Sequence, residues 1–110
     1  MLAYSSCPLC SGPAVRRQLA GREGYHKIAC PRCGAFVVEP TLPAQPWARL
    51  SLEDMRLIVF LPTYIRHQNQ SQHEPLLTLE NWRTFAHRGR LLAWEHPEVS
   101  SAAFRSHRHN

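Results

Sequence analysis

Lysine is almost missing from this chain. Of its 13 basic residues, Lys27 is the single lysine and the others are arginine. Long apolar runs are missing as well. The longest, Leu57-Ile58-Val59-Phe60-Leu61, stops at Pro62, far short of the ~18 apolar residues of a membrane span. The opening Met1-Leu2-Ala3-Tyr4-Ser5-Ser6 has neither a basic n-region nor an apolar h-region, so it does not read as a secretory signal. These absences predict a soluble, cytoplasmic chain with no membrane partner. The common catalytic signatures are also lacking: no G-x-x-x-x-G-K-[ST], no H-E-x-x-H and no G-x-S-x-G. The adjacent acids Glu53 and Asp54 would diverge on a helix and form no acid–base dyad. No enzyme is expected.

Cysteine is scarce too, with four in 110 residues, but its placement is informative. Cys7-Pro8-Leu9-Cys10 and Cys30-Pro31-Arg32-Cys33 are two C-x-x-C pairs separated by 19 residues. Two thiolates spaced by two residues reach one ion from a tight turn, and two such turns face to face complete a tetrahedral set at about 2.3 Å. The spacer fits the C-x2-C…C-x2-C pattern of zinc sites. Proline after the first cysteine presets φ for each turn. Gly34 follows the last cysteine and suits a turn that ends at positive φ, whereas Ser11 takes the matching place in the first pair, which reads as less regular. Disulfides, a redox C-x-x-C pair and an iron–sulfur cluster are the competing readings. A reducing compartment disfavours disulfides, and redox chemistry would need only one pair. Cys7, Cys10, Cys30 and Cys33 are therefore expected to hold one structural Zn2+. Four sulfurs leave no open position for a reacting water. Metal binding would supply much of the folding free energy of so small a unit, on the order of 10 kcal/mol.

Residues 7–39 resemble a zinc ribbon. The resemblance rests on the two knuckles and on the run from Gly24 through Cys30-Pro31-Arg32-Cys33-Gly34 to Glu39. The chain is also similar to small prokaryotic and phage proteins in which such a ribbon continues into helices. It extends more loosely over Tyr64–Asn69 and Pro75–Thr78. This implies a ribbon fold and one zinc ion, and it leaves nucleic-acid binding, subunit docking and plain stabilisation all open.

The predicted architecture is α+β: a small three-stranded antiparallel zinc ribbon followed by two to three short helices. The ribbon is placed at 1–39, with strands at 13–19, 25–29 and 35–39 and Tyr4 packing beside the first knuckle. Three prolines in residues 40–46 mark a semi-rigid linker, with Trp47 packing back on the ribbon or opening the next element. A helical part occupies 47–97. Ser51 is a candidate N-cap with Asp54 at the position of a capping-box acid, and Leu52, Met55, Ile58 and Val59 share a face. Pro62 ends or kinks that helix. Residues 69–74 read as a polar loop. Thr78 is expected to cap a further helix stopped by Gly89, with Leu79, Trp82, Phe85 and Ala86 buried. Trp94 is placed in the core, and 98–110, with His107-Arg108-His109, as a tail.

The formal charge is +5. Arginine makes bidentate phosphate contacts, although GC-rich codon usage also favours it. The leading expectation is a non-enzymatic regulatory or adaptor protein touching nucleic acid or a nucleoprotein through Arg16, Arg17, Arg22, Lys27 and Arg32. The alternative is a protein-binding module, an accessory subunit or a phage-type inhibitor, docking through Leu57, Phe60 and Tyr64, with homodimerisation as one form of such docking.

Overall fold

A computed structural model describes residues 2–40 and 50–95 of the chain. Four strands run up and down in sequence order: β1 (Leu2–Ser6), β2 (Pro13–Gln18), β3 (His26–Cys30) and β4 (Gly34–Val38). Each C-x-x-C turn is the connection of one hairpin, β1–β2 or β3–β4, so both knuckles lie at the same end of the sheet. The opposite end carries the β2–β3 turn. There Leu19 N–H donates to Tyr25 C=O at 3.0 Å, and Gly21 and Gly24 take φ of 77° and 85°, values that favour glycine.

The expected sheet of three antiparallel strands is corrected to five mixed strands, in the order β1-β2-β3-β4-β5. The lead-in residues pair fully with β2, with Tyr4 opposite Val15 and Ser5 opposite Ala14. At the other edge β5 (Leu76–Leu77) adds in parallel to β4, with Val37 opposite Leu76. Neither strand had a visible signal. The first lies before the cysteines, and the second has two residues, too short for any period to show.

The helices form a layer against one face of the sheet. In α1 (Leu52–Ile58), Ser51 Oγ accepts from Asp54 N–H at 3.1 Å, the expected cap. α2 (Leu61–Gln70) starts after a break at Val59 and Phe60, with Pro62 in its first turn, where no backbone N–H is needed. α2 runs through Gln70, so Asn69 and Gln70, the first two residues of the stretch expected as a loop, belong to this helix. α3 (Trp82–Glu95) continues past Gly89, which does not stop it. A Cβ at Gly89 would collide with the Phe60 carbonyl oxygen, so this glycine lets α3 press against the start of α2. Ahead of α3, Thr78 and Asn81 cap each other. Asn81 N–H donates to Thr78 Oγ1 at 3.0 Å and Thr78 N–H donates to Asn81 Oδ1 at 2.8 Å, a capping box with asparagine in the acid's place.

Ile28, Phe36, Leu61, Ile65, Leu77, Trp82 and Ala86 form one buried cluster that takes in Cys7, Cys30 and Cys33. Tyr64 stacks on Phe85 with ring centroids 4.6 Å apart. The ribbon and the helical part thus share a sheet and a core. Several side chains fall elsewhere than expected. Trp94 is 85% exposed, and Tyr4 and Leu79 are exposed rather than packed. Leu52, Met55 and Val59 face outward, while Leu57 carries the burial of α1. The linker positions 41–46, Trp47, and the tail with His107-Arg108-His109 lie outside the described residues. Among the described residues no helix is long and apolar enough to cross a membrane.

Candidate metal centre

The two hairpin turns bring Cys7, Cys10, Cys30 and Cys33 together, with all four Sγ atoms within 4.8 Å of one another. Cys10 Sγ and Cys30 Sγ are 3.5 Å apart. A tetrahedron with metal–sulfur bonds of about 2.3 Å has edges of about 3.8 Å, so the separations bracket what one ion requires. Three of the sulfurs are already accepting backbone hydrogen bonds: Leu9 N–H to Cys7, Gly12 N–H to Cys10 and Cys33 N–H to Cys30, each at 3.4 Å. Such donors favour the thiolate form. The first knuckle is more regular than its sequence suggests. Ser11 adopts φ 63° where Gly34 adopts 99°, and Cys7 N–H donates to Gly12 C=O at 2.7 Å. A serine accepts the left-handed conformation that glycine would take for less.

Burial and hydrogen bonding act unequally on Cys7, Cys30 and Cys33. A hydrogen bond from Cys33 holds the Cys7 thiol down, to about 5, against the upward pull of burial. The same hydrogen bond, followed by burial and the neighbouring sulfurs, pushes Cys33 far up. Burial pushes Cys30 up. Four thiolates so close repel one another, and a divalent cation between them removes that repulsion. The residues present therefore fit a thiolate-bound metal ion.

The second knuckle is held from the helical layer by Asn69, a residue the sequence did not single out. Its side chain treats Ala35 as a strand would. Ala35 N–H donates to Asn69 Oδ1 at 2.8 Å and Asn69 Nδ2 donates to Ala35 C=O at 3.0 Å. Nδ2 also donates to His73 C=O at 2.8 Å. Gly34 leaves room for this contact, since a Cβ there would sit 2.5 Å from Asn69 Oδ1. An asparagine in a polar stretch carries no signal that separates it from a solvated loop.

The five basic residues proposed from sequence do not form one patch. Arg17 and Lys27 stand directly opposite each other near the β2–β3 turn, and Lys27 pairs with Glu74 at 2.6 Å. Arg22 lies in that turn over the Tyr25 ring, 4.4 Å from its centroid. Arg16 lies on the other face, opposite Ile28, and burial, followed by the Arg16 charge, lowers the pKa of His26. Arg32 is exposed at the tip of the second knuckle, at the far end of the sheet. The docking residues are also relocated. Leu57 and Tyr64 are buried and serve the core, while Phe60 is half-buried and lines the groove between α1 and α3. A groove of about 1070 Å³ between α1 and α3 is lined by Arg56, Arg83, His87 and Arg90 together with Glu53 and Asp54. Arg83 is committed to Asp54 there, through Nε at 3.2 Å and Nη2 at 2.7 Å.

Fold and site together define an α+β module whose two knuckled hairpins are arranged to hold one metal ion. No protein family, curated protein or solved structure matches the chain.

Proposed function

We propose that this chain is a non-enzymatic zinc module of regulatory or adaptor type that contacts nucleic acid or a nucleoprotein through its ribbon. The observation that carries the metal half of this reading is the four-sulfur cluster, three of its cysteines buried and Cys10 half-buried, with separations suited to one tetrahedral ion. An all-sulfur set suits Zn2+. With four thiolates the coordination sphere is closed, which is the signature of a structural site. The metal residues hold the two hairpins in register and do no chemistry. The nucleic-acid half is supported by the +5 charge and by Arg17 and Lys27 lying side by side on one face of the ribbon. Phosphate contacts are what such guanidinium and ammonium groups serve best.

Metal content and native mass of the purified protein, followed by electrophoretic shifts with RNA and DNA at increasing salt, test this reading. One zinc per chain and a shift that fades steeply with salt are the expected results. A chain that binds no metal, or no nucleic acid even at low salt, would sink it.

A second reading, protein docking, has its own observation. Leu52, Met55 and Val59 are spaced along the exposed side of α1 and remain 64%, 53% and 62% exposed. The docking face would then be this outer stripe and not Leu57, Phe60 and Tyr64. A salt-insensitive dimer in the native mass measurement is its expected sign.

A further inference from the structure

Side chains alternate across a strand, and the register of this sheet sorts them cleanly. Ala14, Ile28, Cys30, Phe36 and Val38 are buried on the face that meets the helices. On the other face, one row across the sheet is Tyr4, Val15, Ala29 and Ala35. The next row contains Arg17, Lys27 and Val37. Small residues thus make a shallow apolar floor, Tyr4 stands at its edge, and two cations stand beside it. Tyr4 is 91% exposed, so its ring contributes almost nothing to the core. Among the described residues no ion pair or hydrogen bond engages the side chain of Arg17.

We propose that this open face is a platform for single-stranded nucleic acid, with Tyr4 stacking on a base and Arg17 and Lys27 meeting backbone phosphates. The proposal rests on the nucleic-acid reading above and names its ligand class. Tyr4 lies opposite Val15, so Arg17 is its diagonal neighbour, about 7–8 Å away. That separation lets one nucleotide reach the ring with its base and the guanidinium with its phosphate. Base stacking on an exposed aromatic needs no particular sequence. A duplex keeps its bases paired and offers Tyr4 nothing to stack on. Glu74 already neutralises Lys27, and its side chain is 39% exposed, so an incoming phosphate competes with it for the ammonium.

The test is fluorescence anisotropy of the metal-loaded full chain with labelled oligo-dT and oligo-rU of about 12 nucleotides, and with a duplex of equal length. Both single strands are expected to bind more tightly than the duplex. Tyr4→Ala should weaken single-strand binding roughly 5- to 100-fold and leave the salt slope unchanged. Arg17→Ala should reduce the slope by about 0.7. Glu74→Gln should tighten binding by releasing Lys27, a gain that a purely structural role for the pair would not give. Far-UV circular dichroism of each variant confirms its fold. Equal affinity for duplex and single strand together with indifference to Tyr4→Ala overturns the platform while leaving nucleic-acid binding through the ribbon intact. Binding of oligo-dT or oligo-rU alone, lost in Tyr4→Ala, would assign the platform to that kind of strand. Absence of binding to all three probes at low salt overturns both the platform and the reading beneath it.

Discussion

The two hairpins of the ribbon look alike in outline, but they are held differently. In the β3–β4 hairpin Ile28, Phe36 and Val38 are buried against the helices, β5 pairs along one edge and Asn69 hydrogen-bonds Ala35. In the β1–β2 hairpin the buried positions among the described residues are Cys7 and Ala14. One hairpin would retain an apolar anchor without the metal, while the other has, among its described side chains, the smaller contacts of Ala14 and Leu9 besides its sulfurs and its hydrogen bonds to β3. A metal ion held by the four sulfurs would act chiefly as the tether of β1 and β2. It is the less buried hairpin that carries Tyr4 and Arg17, so a bound metal, more than a core, would hold this exposed surface in place.

The contrast breaks most severely when the metal is removed. Chelation, or Cys7→Ser, is expected to abolish amide-exchange protection in β1 and β2 and to leave residual protection in β4 and α2. The lost binding free energy is on the order of 10 kcal/mol. Uniform loss of protection throughout the chain would show that the two hairpins are equally metal-dependent. The second hairpin should respond in the opposite sense to a core deletion. Phe36→Ala is expected to cost about 3–5 kcal/mol in chemical denaturation of the metal-loaded protein, whereas Val15→Ala, on the half-exposed face of the first hairpin, should cost under about 1 kcal/mol.

Asn69→Ala sharpens the comparison at the junction. It leaves the Ala35 backbone groups without their side-chain partner and is expected to cost about 1–3 kcal/mol. It should also speed metal loss to a chelator from the second knuckle outward, read as a faster release rate with unchanged helix content.

The smallest effect concerns an ion pair far from the metal. The Arg83 guanidinium holds the Asp54 carboxyl below its ordinary value. A lowered folded-state pKa means that the pair's contribution is present above the ordinary carboxyl range, near pH 4, and is lost as pH falls through the folded value. Arg83→Gln should therefore lower the melting temperature slightly at about pH 6, and the gap from the parent protein should close as the pH is taken below about 4. Comparing the two proteins at each pH cancels the acid release of metal that both share.

Much of this was legible where spacing is tied to covalent geometry. The two C-x-x-C pairs located the metal site, and Ser51 located a helix start, because each acts over three residues of backbone. Legibility fails where a residue's meaning depends on what lies across space from it. Gly89 has the composition of a helix stop and the role of a close-packing contact, and only the position of the Phe60 carbonyl distinguishes them. In α1, the period chosen from Leu52, Met55, Ile58 and Val59 joined three exposed residues to one, Ile58, that packs on the core. The buried stripe is instead Leu57, Leu61, Tyr64 and Ile65, which crosses the break before Pro62 and so was split between two segments. Asn69 and β5 were invisible because their partners lie in β4, more than 30 positions away.

The placement of both knuckles in adjacent hairpin turns has a consequence for the order of assembly. Every ligand lies between Cys7 and Cys33, and the strand pairings that present them join neighbours in sequence. Contacts of that kind close quickly, whereas β5 and Asn69 require long loops to be closed. During synthesis, the chain can therefore capture its ion before α1 has left the ribosome. The helices then condense onto a ribbon already set in shape, and a metal-starved cell would produce a chain whose later half has only the β3–β4 hairpin to fold against.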